Sequence, residues 1–220
     1  MIEFLNDIDA QAFGAINMCH GAYADNFMWL VSNRLAWGLM GLTFVLLLAR
    51  KGWRCALLTL AAVALAVLVA DQVSSSLIKH AVERLRPSHD PSLADTVHIV
   101  RQYRGGLYGF VSSHAANSVA VGLLLGLMLR DRVVLTIMMC WALLQCYSRV
   151  YLGVHYPGDI LGGIIVGVLA GWLVWQLMRW IERRWRIPQG HYTRPDAIVI
   201  AGSLCTTVIG LLIAALTQVL

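Results

Sequence analysis

Charged residues are scarce in this sequence. Asp, Glu, Lys and Arg make up 13% of its 220 residues, against about 25% in an ordinary soluble domain. A disordered chain and a typical cytosolic enzyme are therefore poor matches. The five cysteines are scattered without metal-ligand spacing, which argues against a disulfide scaffold and against a zinc site. The five prolines leave long stretches of chain free to form unbroken helices.

Hydrophobic residues, by contrast, make up 59% of the chain, and its mean hydropathy is +0.68. One globular core of this size cannot bury so much apolar surface, so we predict an all-α polytopic membrane protein. Six apolar runs approach or exceed the roughly 20 residues that cross a bilayer, and no proline interrupts them. They are predicted as six unbroken transmembrane helices at about 26–49, 55–78, 112–129, 133–152, 158–179 and 197–219.

The N-terminal residues are acidic, with Glu3 and Asp9 where a signal peptide carries positive charge. Apolar residues recur there at helical spacing. This pattern predicts a short amphipathic helix within residues 1–25 that lies on the membrane surface. The six spans use most of the remaining chain, so we predict a single domain over residues 1–220 with one long extracytoplasmic loop at 80–111.

The net charge is +5, from 17 Lys and Arg against 12 Asp and Glu. In a soluble protein this charge would suggest nucleic acid. Basic residues that flank membrane helices explain it better here, and no nucleic-acid partner is predicted. Six spans place both termini on one side of the membrane. The opposite side carries 10 of the basic residues, five of them in the connection Arg179–Arg194, and the terminal side carries 7, which favours outside termini.

Three polar clusters fall at the same predicted face of the membrane, at the ends of spans. They are Lys79–Pro87, Ser112–His114 and Ser148–Asp159. Lys79 and Arg86 are seven residues apart, or two helical turns, so both can point at one spot. Arg149 adds a third cation on the same side. Three converging cations would bind a dianionic group such as phosphate.

The other residues of these clusters supply nucleophilic and acid–base chemistry. His155 and Asp159 are four residues apart, so the carboxylate can hold one imidazole nitrogen and leave the other free to attack. His114 is a second imidazole that could protonate a leaving oxygen. Ser112 and Ser113 begin a predicted helix, where free backbone N–H groups receive anions.

Together these fragments resemble the three-part signature of the type 2 phosphatidic acid phosphatase (lipid phosphate phosphatase) superfamily. The resemblance covers residues 79–159 and rests on Lys79-x6-Arg86-Pro87, Ser112-Ser113-His114 and Ser148-Arg149-x5-His155-x3-Asp159. It implies a phosphohistidine intermediate on His155, with Asp159 orienting that ring and His114 as the general acid. It implies that no metal or other cofactor takes part, and that the phosphate is held by Lys79, Arg86, Arg149, Ser112 and the amide of Ser113.

One position departs from the family pattern. The second motif of the family commonly reads Pro-Ser-Gly-His, whereas this sequence reads Val111-Ser112-Ser113-His114. Glycine permits backbone angles that serine avoids. The departure therefore predicts a slightly different shape for the amide cradle, while the catalytic histidine is retained.

The resemblance implies a bacterial inner-membrane enzyme that removes phosphate from a lipid at the outer, periplasmic face. Undecaprenyl diphosphate is the first expectation for the substrate, and lipid A and phosphatidylglycerol phosphate or phosphatidic acid are the alternatives. A lipid phosphotransferase and a non-catalytic lipid-binding protein are alternatives of another class. Asp71, inside the second span, could pair with Arg34. Arg101, Arg104 and Tyr103 could either contact a head group or shape the loop.

Overall fold

The computed structural model describes residues 2–185 and 193–218. Within them, extended backbone pairs only at an isolated antiparallel bridge between Leu85 and Tyr108, and all other regular structure is helical. Residues 186–192, part of the predicted connection Arg179–Arg194, lie outside the described residues. The α-helices are α1 (Ile2–Asn17), α2 (Ala22–Ser32), α3 (Gly38–Arg50), α4 (Trp53–Asp71), α5 (Lys79–Val82), α6 (Ser113–Leu129), α7 (Arg132–Tyr151), α8 (Pro157–Trp185) and α9 (Arg194–Thr217).

The predicted all-α membrane fold is confirmed. Helices α7, α8 and α9 are long and apolar enough to cross a bilayer. So is the stretch Trp53–Val82, in which a π-helical segment at Gln72–Ile78 joins α4 to α5. Two further pieces, α2 and residues 34–50, meet at a bend and are together long and apolar enough for a fifth crossing. The remaining predicted span corresponds to α6, an apolar helix of 17 residues.

The first predicted span, 26–49, is not one unbroken helix, so this part of the prediction is wrong. Its two pieces meet at 71°. Asn33 is extended (φ −80°, ψ 122°), and its side-chain oxygen accepts a hydrogen bond from the Leu35 N–H at 3.0 Å. The Trp37 indole N–H donates to the Val31 carbonyl at 2.8 Å. A short polar side chain that competes with the backbone for hydrogen bonds thus breaks the helix without proline.

Helix α6 lies at the centre of the bundle, packed against α4, α7 and α8. Three glycines recur every fourth residue along α8. They are Gly163, Gly167 and Gly171. A β-carbon added to Gly167 would lie 2.5 Å from the Ala116 carbonyl oxygen, closer than real contacts allow. Small residues at this spacing let two helix backbones approach in a membrane. The approach brings the starts of both helices together, and the Ser112 N–H donates to the Asp159 carbonyl at 2.9 Å.

We expect Gly167→Leu to force α6 and α8 apart, because the new side chain would overlap the α6 backbone. Overpacking of this kind costs roughly 1–3 kcal/mol, occasionally more. The measurement is the midpoint of thermal unfolding in detergent. Gly202→Leu in α9 is the control, since nothing lies within 4 Å of a β-carbon at that position. Equal midpoints for the two variants would contradict the close helix approach.

Candidate active site

The predicted site residues lie together at one end of the helix bundle. They come from α5 and the loop after it, the start of α6, the end of α7, and the turn before α8 together with the first turn of α8. Residues 83–112 form an ordered loop beside them. Within it, the Arg86 N–H donates to the Leu107 carbonyl at 3.1 Å, next to the bridge between Leu85 and Tyr108. The loop backbone thereby fixes where the Arg86 side chain begins.

His155 is almost completely buried, with 2% of its surface exposed. Its Nδ1 lies 3.2 Å from Oδ2 of Asp159, and its Nε2 lies 2.9 Å from Nη1 of Arg86. The same Asp159 oxygen accepts the Tyr156 N–H at 3.0 Å. Arginine has only donors, so Nε2 must accept and Nδ1 must carry the proton that is donated to Asp159. His155 thus directs a lone pair at the cations, as a nucleophilic imidazole requires.

The surroundings of His155 favour its neutral form. Burial and the positive charges of Arg86, Arg149 and Lys79 hold the pKa of this imidazole well below its usual value of 6.5. The Asp159 carboxylate opposes this effect, but it is itself fully buried and shared with other donors. A ring that stays neutral keeps its nucleophilic lone pair at mildly acidic pH.

Arg149 is a buried cation without a carboxylate. Only 6% of its surface is exposed. Its guanidinium donates to the Ser32 hydroxyl and, at 3.4 Å, to the Tyr103 hydroxyl. Its Nε–H has no hydrogen-bond partner, and among the described residues no carboxylate lies within 4 Å of it. Buried charges are normally paired, so Arg149 indicates a site for an anion.

A fourth cation, Arg34, adjoins this cluster, although the sequence patterns did not place it there. Burial alone would raise the pKa of Tyr103, but the charge and hydrogen bond of Arg149 and the charges of Arg86 and Arg34 lower it. Arg34 follows directly after the break in the first span, where helical periodicity stops. Its possible pairing with Asp71 does not occur, because within the described part of the chain no carboxylate forms an ion pair with it.

Lys79 is held by a row of hydrogen-bonded polar side chains. The first of them is Ser113, at the position where the family pattern has glycine. Nζ of Lys79 donates to Oγ of Ser113 at 2.8 Å, and that oxygen lies 2.8 Å from Oγ of Ser75. Ser75 and Asn117 donate to Asp71 at 3.4 and 3.3 Å. Ser113 lies in the first turn of α6, where serine adopts ordinary helical angles. The departure from glycine therefore adds a hydroxyl that positions Lys79.

Ser112 and His114 occupy the start of α6. The Ser112 hydroxyl caps the helix and accepts a backbone N–H of the first turn at 3.4 Å. The His114 ring lies beside the Ser32 backbone and the Gln145 side chain, and it is close enough to His155 to act on it electrostatically. The structure thus brings the predicted site residues of all three motifs into one cluster.

Arg84 joins this cluster, although its place in the sequence assigned it no role. Its guanidinium lies 3.2 Å from Oδ1 of Asp159 and 2.7 Å from Oδ2 of Asp9 in α1. Asp9 also accepts the Gly158 N–H at 2.6 Å. The N-terminal helix is thereby tied to the turn that carries the histidine–aspartate pair. The sequence offered one signal for Arg84, its position two residues before Arg86, and none for Asp9.

Arg101 and Arg104 both make contacts within the described part of the chain. Arg104 donates to the Ser88 carbonyl at 2.9 Å, and the Ser88 hydroxyl donates to the Arg104 carbonyl at 2.7 Å. Arg101 donates to Asn26 at 3.0 Å and lies 5.5 Å from the centre of the Trp29 ring. These contacts shape the loop and fasten it to α2. In residues 2–185 and 193–218, no group of three or more His, Cys, Asp or Glu side chains could hold a metal ion.

The chain matches known proteins along most of its length. Residues 55–183 match the PAP2 superfamily. A lipid A 4'-phosphatase of Bacteroides thetaiotaomicron is 40% identical, over 79% of this chain and 78% of its own. A lipid A 4'-phosphatase of Porphyromonas gingivalis is 35% identical, over 84% of this chain and 78% of its own. An undecaprenyl-diphosphatase of Bacillus subtilis is 30% identical, over 38% of this chain and 42% of its own.

The fold resembles that of a solved membrane protein. The crystal structure of a transmembrane PAP2-type phosphatidylglycerolphosphate phosphatase from Bacillus subtilis superposes with a TM-score of 0.61 at 24% identity. The match covers 81% of this chain and 88% of that one. At this identity the likeness establishes the helical arrangement and nothing about the substrate.

We expect His155 to stay neutral at pH values where an unfolded histidine is charged. Unfolded histidine binds a proton near pH 6.5, whereas the folded ring, with its lowered pKa, does not. Below pH 6.5 the unfolded state therefore binds more protons, and His155 lowers the free energy of unfolding as the pH falls, by up to about 1.4 kcal/mol per pH unit.

Histidine-selective nitrogen NMR in detergent tests this expectation. The resonance that disappears in His155→Gln should keep the shifts of a neutral ring at about pH 5.5, one unit below the unfolded value. Shifts of a charged imidazolium at that pH would contradict the buried, cation-facing arrangement.

Proposed function

The chain belongs to the PAP2 superfamily and is a membrane lipid phosphatase. From this premise we propose that it hydrolyses a phosphate monoester of lipid A through a phosphohistidine on His155. One observation carries the chemistry: the buried imidazole is held by Asp159 at Nδ1 and faces Arg86 with Nε2. The lipid A 4'-phosphatases that match most of the chain support the choice of substrate.

Lipid A thus takes the place of undecaprenyl diphosphate, the first expectation from the sequence. The undecaprenyl-diphosphatase relative matches 38% of the chain, against 79% and 84% for the two lipid A 4'-phosphatases. A 4'-phosphate is an ester of a sugar hydroxyl. The leaving group in the proposed reaction is therefore a sugar alcohol, whereas in a diphosphate it would be a second phosphate.

In the first step, Nε2 of His155 attacks phosphorus and forms the N–P bond, while the P–O bond to the lipid alcohol breaks. Arg86, which donates to Nε2 at 2.9 Å without substrate, passes this hydrogen bond to a phosphoryl oxygen. The bound phosphate offsets the charges of the nearby cations and favours the protonated form of His114, which then gives its proton to the departing alkoxide. Asp159 accepts the Nδ1–H and stabilises the positive charge that develops on the ring of His155.

In the second step, water attacks phosphorus and the N–P bond breaks. His114, now neutral, accepts a proton from this water and so regains the proton that it gave to the alcohol. Phosphate leaves, and His155 recovers the lone pair on Nε2. Each turnover thus consumes one water and leaves both histidines as they began.

The cations stabilise the charge on the phosphoryl oxygens in both steps. Arg149 has a buried Nε–H without a hydrogen-bond partner among the described residues. Nη1 of Arg86 lies next to Nε2 of His155. Lys79 contacts the phosphoryl group from α5, and its hydrogen bond to Ser113 holds it in position. Ser112 and the amide of Ser113 add donors at the start of α6.

We also propose that the protein lies in a bacterial inner membrane with this site at the outer, periplasmic face. The excess of basic residues in the connections at the other ends of the spans supports this orientation. In it, residues 80–111 are extracytoplasmic, and α1 lies along the same surface, where Asp9 meets Arg84. The whole chain then forms one catalytic domain.

The test is phosphate release by the purified protein in detergent with EDTA present, from lipid A, undecaprenyl diphosphate and phosphatidylglycerol phosphate. We expect lipid A to be the best substrate. His155→Ala should lower kcat about 1,000-fold or more, because the nucleophile is lost. The control is His80→Ala, an exposed histidine next to Lys79.

The outcomes separate the parts of the proposal. Release that survives EDTA and disappears in His155→Ala, with an acid-labile phosphoenzyme in the wild type, supports the histidine mechanism. Faster release from undecaprenyl diphosphate would overturn the substrate and keep the chemistry. Equal release by wild type and His155→Ala would overturn the chemistry itself.

Arg84 is expected to act as a positioning residue. Arg84→Met removes the ion pair between Arg84 and Oδ1 of Asp159. We therefore expect kcat to fall about 10-fold, with little change in KM because no contact to phosphate is lost. Arg84→Lys should recover part of the rate. A rise in KM with kcat unchanged would instead mean that Arg84 binds substrate directly.

A further inference from the structure

A cavity of about 230 Å³ lies among α4, α6, α7 and the segment that follows the bend in the first span. Most of its wall is apolar, but polar side chains interrupt it. The residues that matter here are Arg34, Trp37, His114, Asn117, Trp141 and Gln145. None of the roles described above for the phosphate site uses the cavity.

His114 connects this cavity to the reaction. It forms part of the cavity wall and also lies within electrostatic range of His155. In an in-line displacement the leaving oxygen lies opposite the attacking atom. If His155 attacks from one side and His114 protonates on the other, the remainder of the lipid alcohol extends from His114 into the cavity.

Two polar atoms of the cavity residues lack partners. The Trp141 indole N–H and the Asn117 side-chain oxygen are buried and make no hydrogen bond to any described residue. Buried polar atoms are normally paired, because leaving them unpaired is costly. One of the two is a donor and the other an acceptor. A plain hydrocarbon chain would satisfy neither of them.

Arg34 adds a third polar group to the same wall. Its side chain is exposed, and no described carboxylate forms an ion pair with it. It lies within electrostatic range of Tyr103 and Arg149. Its guanidinium has five donors in a fixed plane, which suit the oxygen atoms of a sugar or an acyl group.

We infer that this cavity binds the alcohol part of the substrate and selects an alcohol that carries hydrogen-bonding groups, such as an acylated sugar, over a plain alkyl or polyprenyl chain. Trp141 donates to an oxygen of that alcohol, Asn117 accepts from a hydroxyl or amide, and Arg34 donates at the exposed end. The inference rests on the proposed function and adds to it the residues that choose the alcohol.

The test compares two phosphate monoesters that differ in the alcohol, lipid A and dodecyl phosphate. Trp141→Phe removes the indole N–H and keeps an aromatic ring against Trp37. Its kcat/KM should fall about 5- to 30-fold on lipid A, mostly through KM, and stay unchanged on dodecyl phosphate. Arg34→Gln should lower kcat/KM on both esters but more on lipid A, because Arg34 also adjoins the phosphate-binding cations. Trp172→Phe, at an exposed position of α8, is the matched control and should change neither value.

Each outcome has a distinct meaning. Losses that are equal on the two esters, or absent on both, would overturn the inference. If Trp141→Phe does not elute as folded protein in size-exclusion chromatography, Arg34→Gln decides, because substitution of an exposed side chain seldom unfolds a protein. A wild-type enzyme that hydrolyses dodecyl phosphate and not lipid A would overturn both the inference and the proposed substrate. A wild-type enzyme that acts on lipid A, together with variants that lose the same activity on both esters, would overturn the inference and leave the proposed substrate intact.

Discussion

The rest of the site depends on positive charge concentrated around one neutral imidazole. Arg86 and Arg149 are buried, and no described carboxylate lies within 4 Å of either guanidinium. Burial and these charges keep His155 from taking up a proton and leave its Nε2 as an acceptor. The same charges lack a counter-ion until an anion enters. In the proposed mechanism, a dianionic phosphate therefore satisfies the cations and meets the nucleophile in a single binding event.

The fold has to keep these like charges together, and it does so with backbone geometry and one shared carboxylate. The α6–α8 glycine contact brings the Ser112 N–H to the Asp159 carbonyl. The two oxygens of that aspartate receive His155 and the Tyr156 N–H on one side and Arg84 on the other. Close helix packing, which requires the glycines of α8, is thus what permits a cluster of cations at the helix ends.

The sequence predicted those parts of the structure that follow a regular pattern. Long apolar runs gave the helices, and motif spacing gave His155, Asp159 and Arg86 as neighbours. The break at Asn33 was missed because the three polar residues Ser32, Asn33 and Arg34 contain no proline and are flanked by apolar residues on both sides. The partnership of Asp9 with Arg84 was missed because their positions along the chain are 75 residues apart, and no local rule connects them. The hydrogen bond from Lys79 to the hydroxyl of Ser113 was missed because the motif comparison considered only the backbone freedom that glycine would give at this position.

The π-helical segment at Gln72–Ile78 has a consequence for how the protein can evolve. There the Lys79 N–H bonds to the Ser74 carbonyl, five residues earlier, so the turn holds one residue more than an α-helical turn. Each residue of an α-helix advances its phase by about 100°. Loss of one residue from a regular helix would turn every following side chain by that angle, whereas loss of one residue within the wide turn would leave an α-helical turn and keep Lys79 facing Ser113. The π-helical segment thus lets the span lose one residue at this place without turning the lysine away from the site.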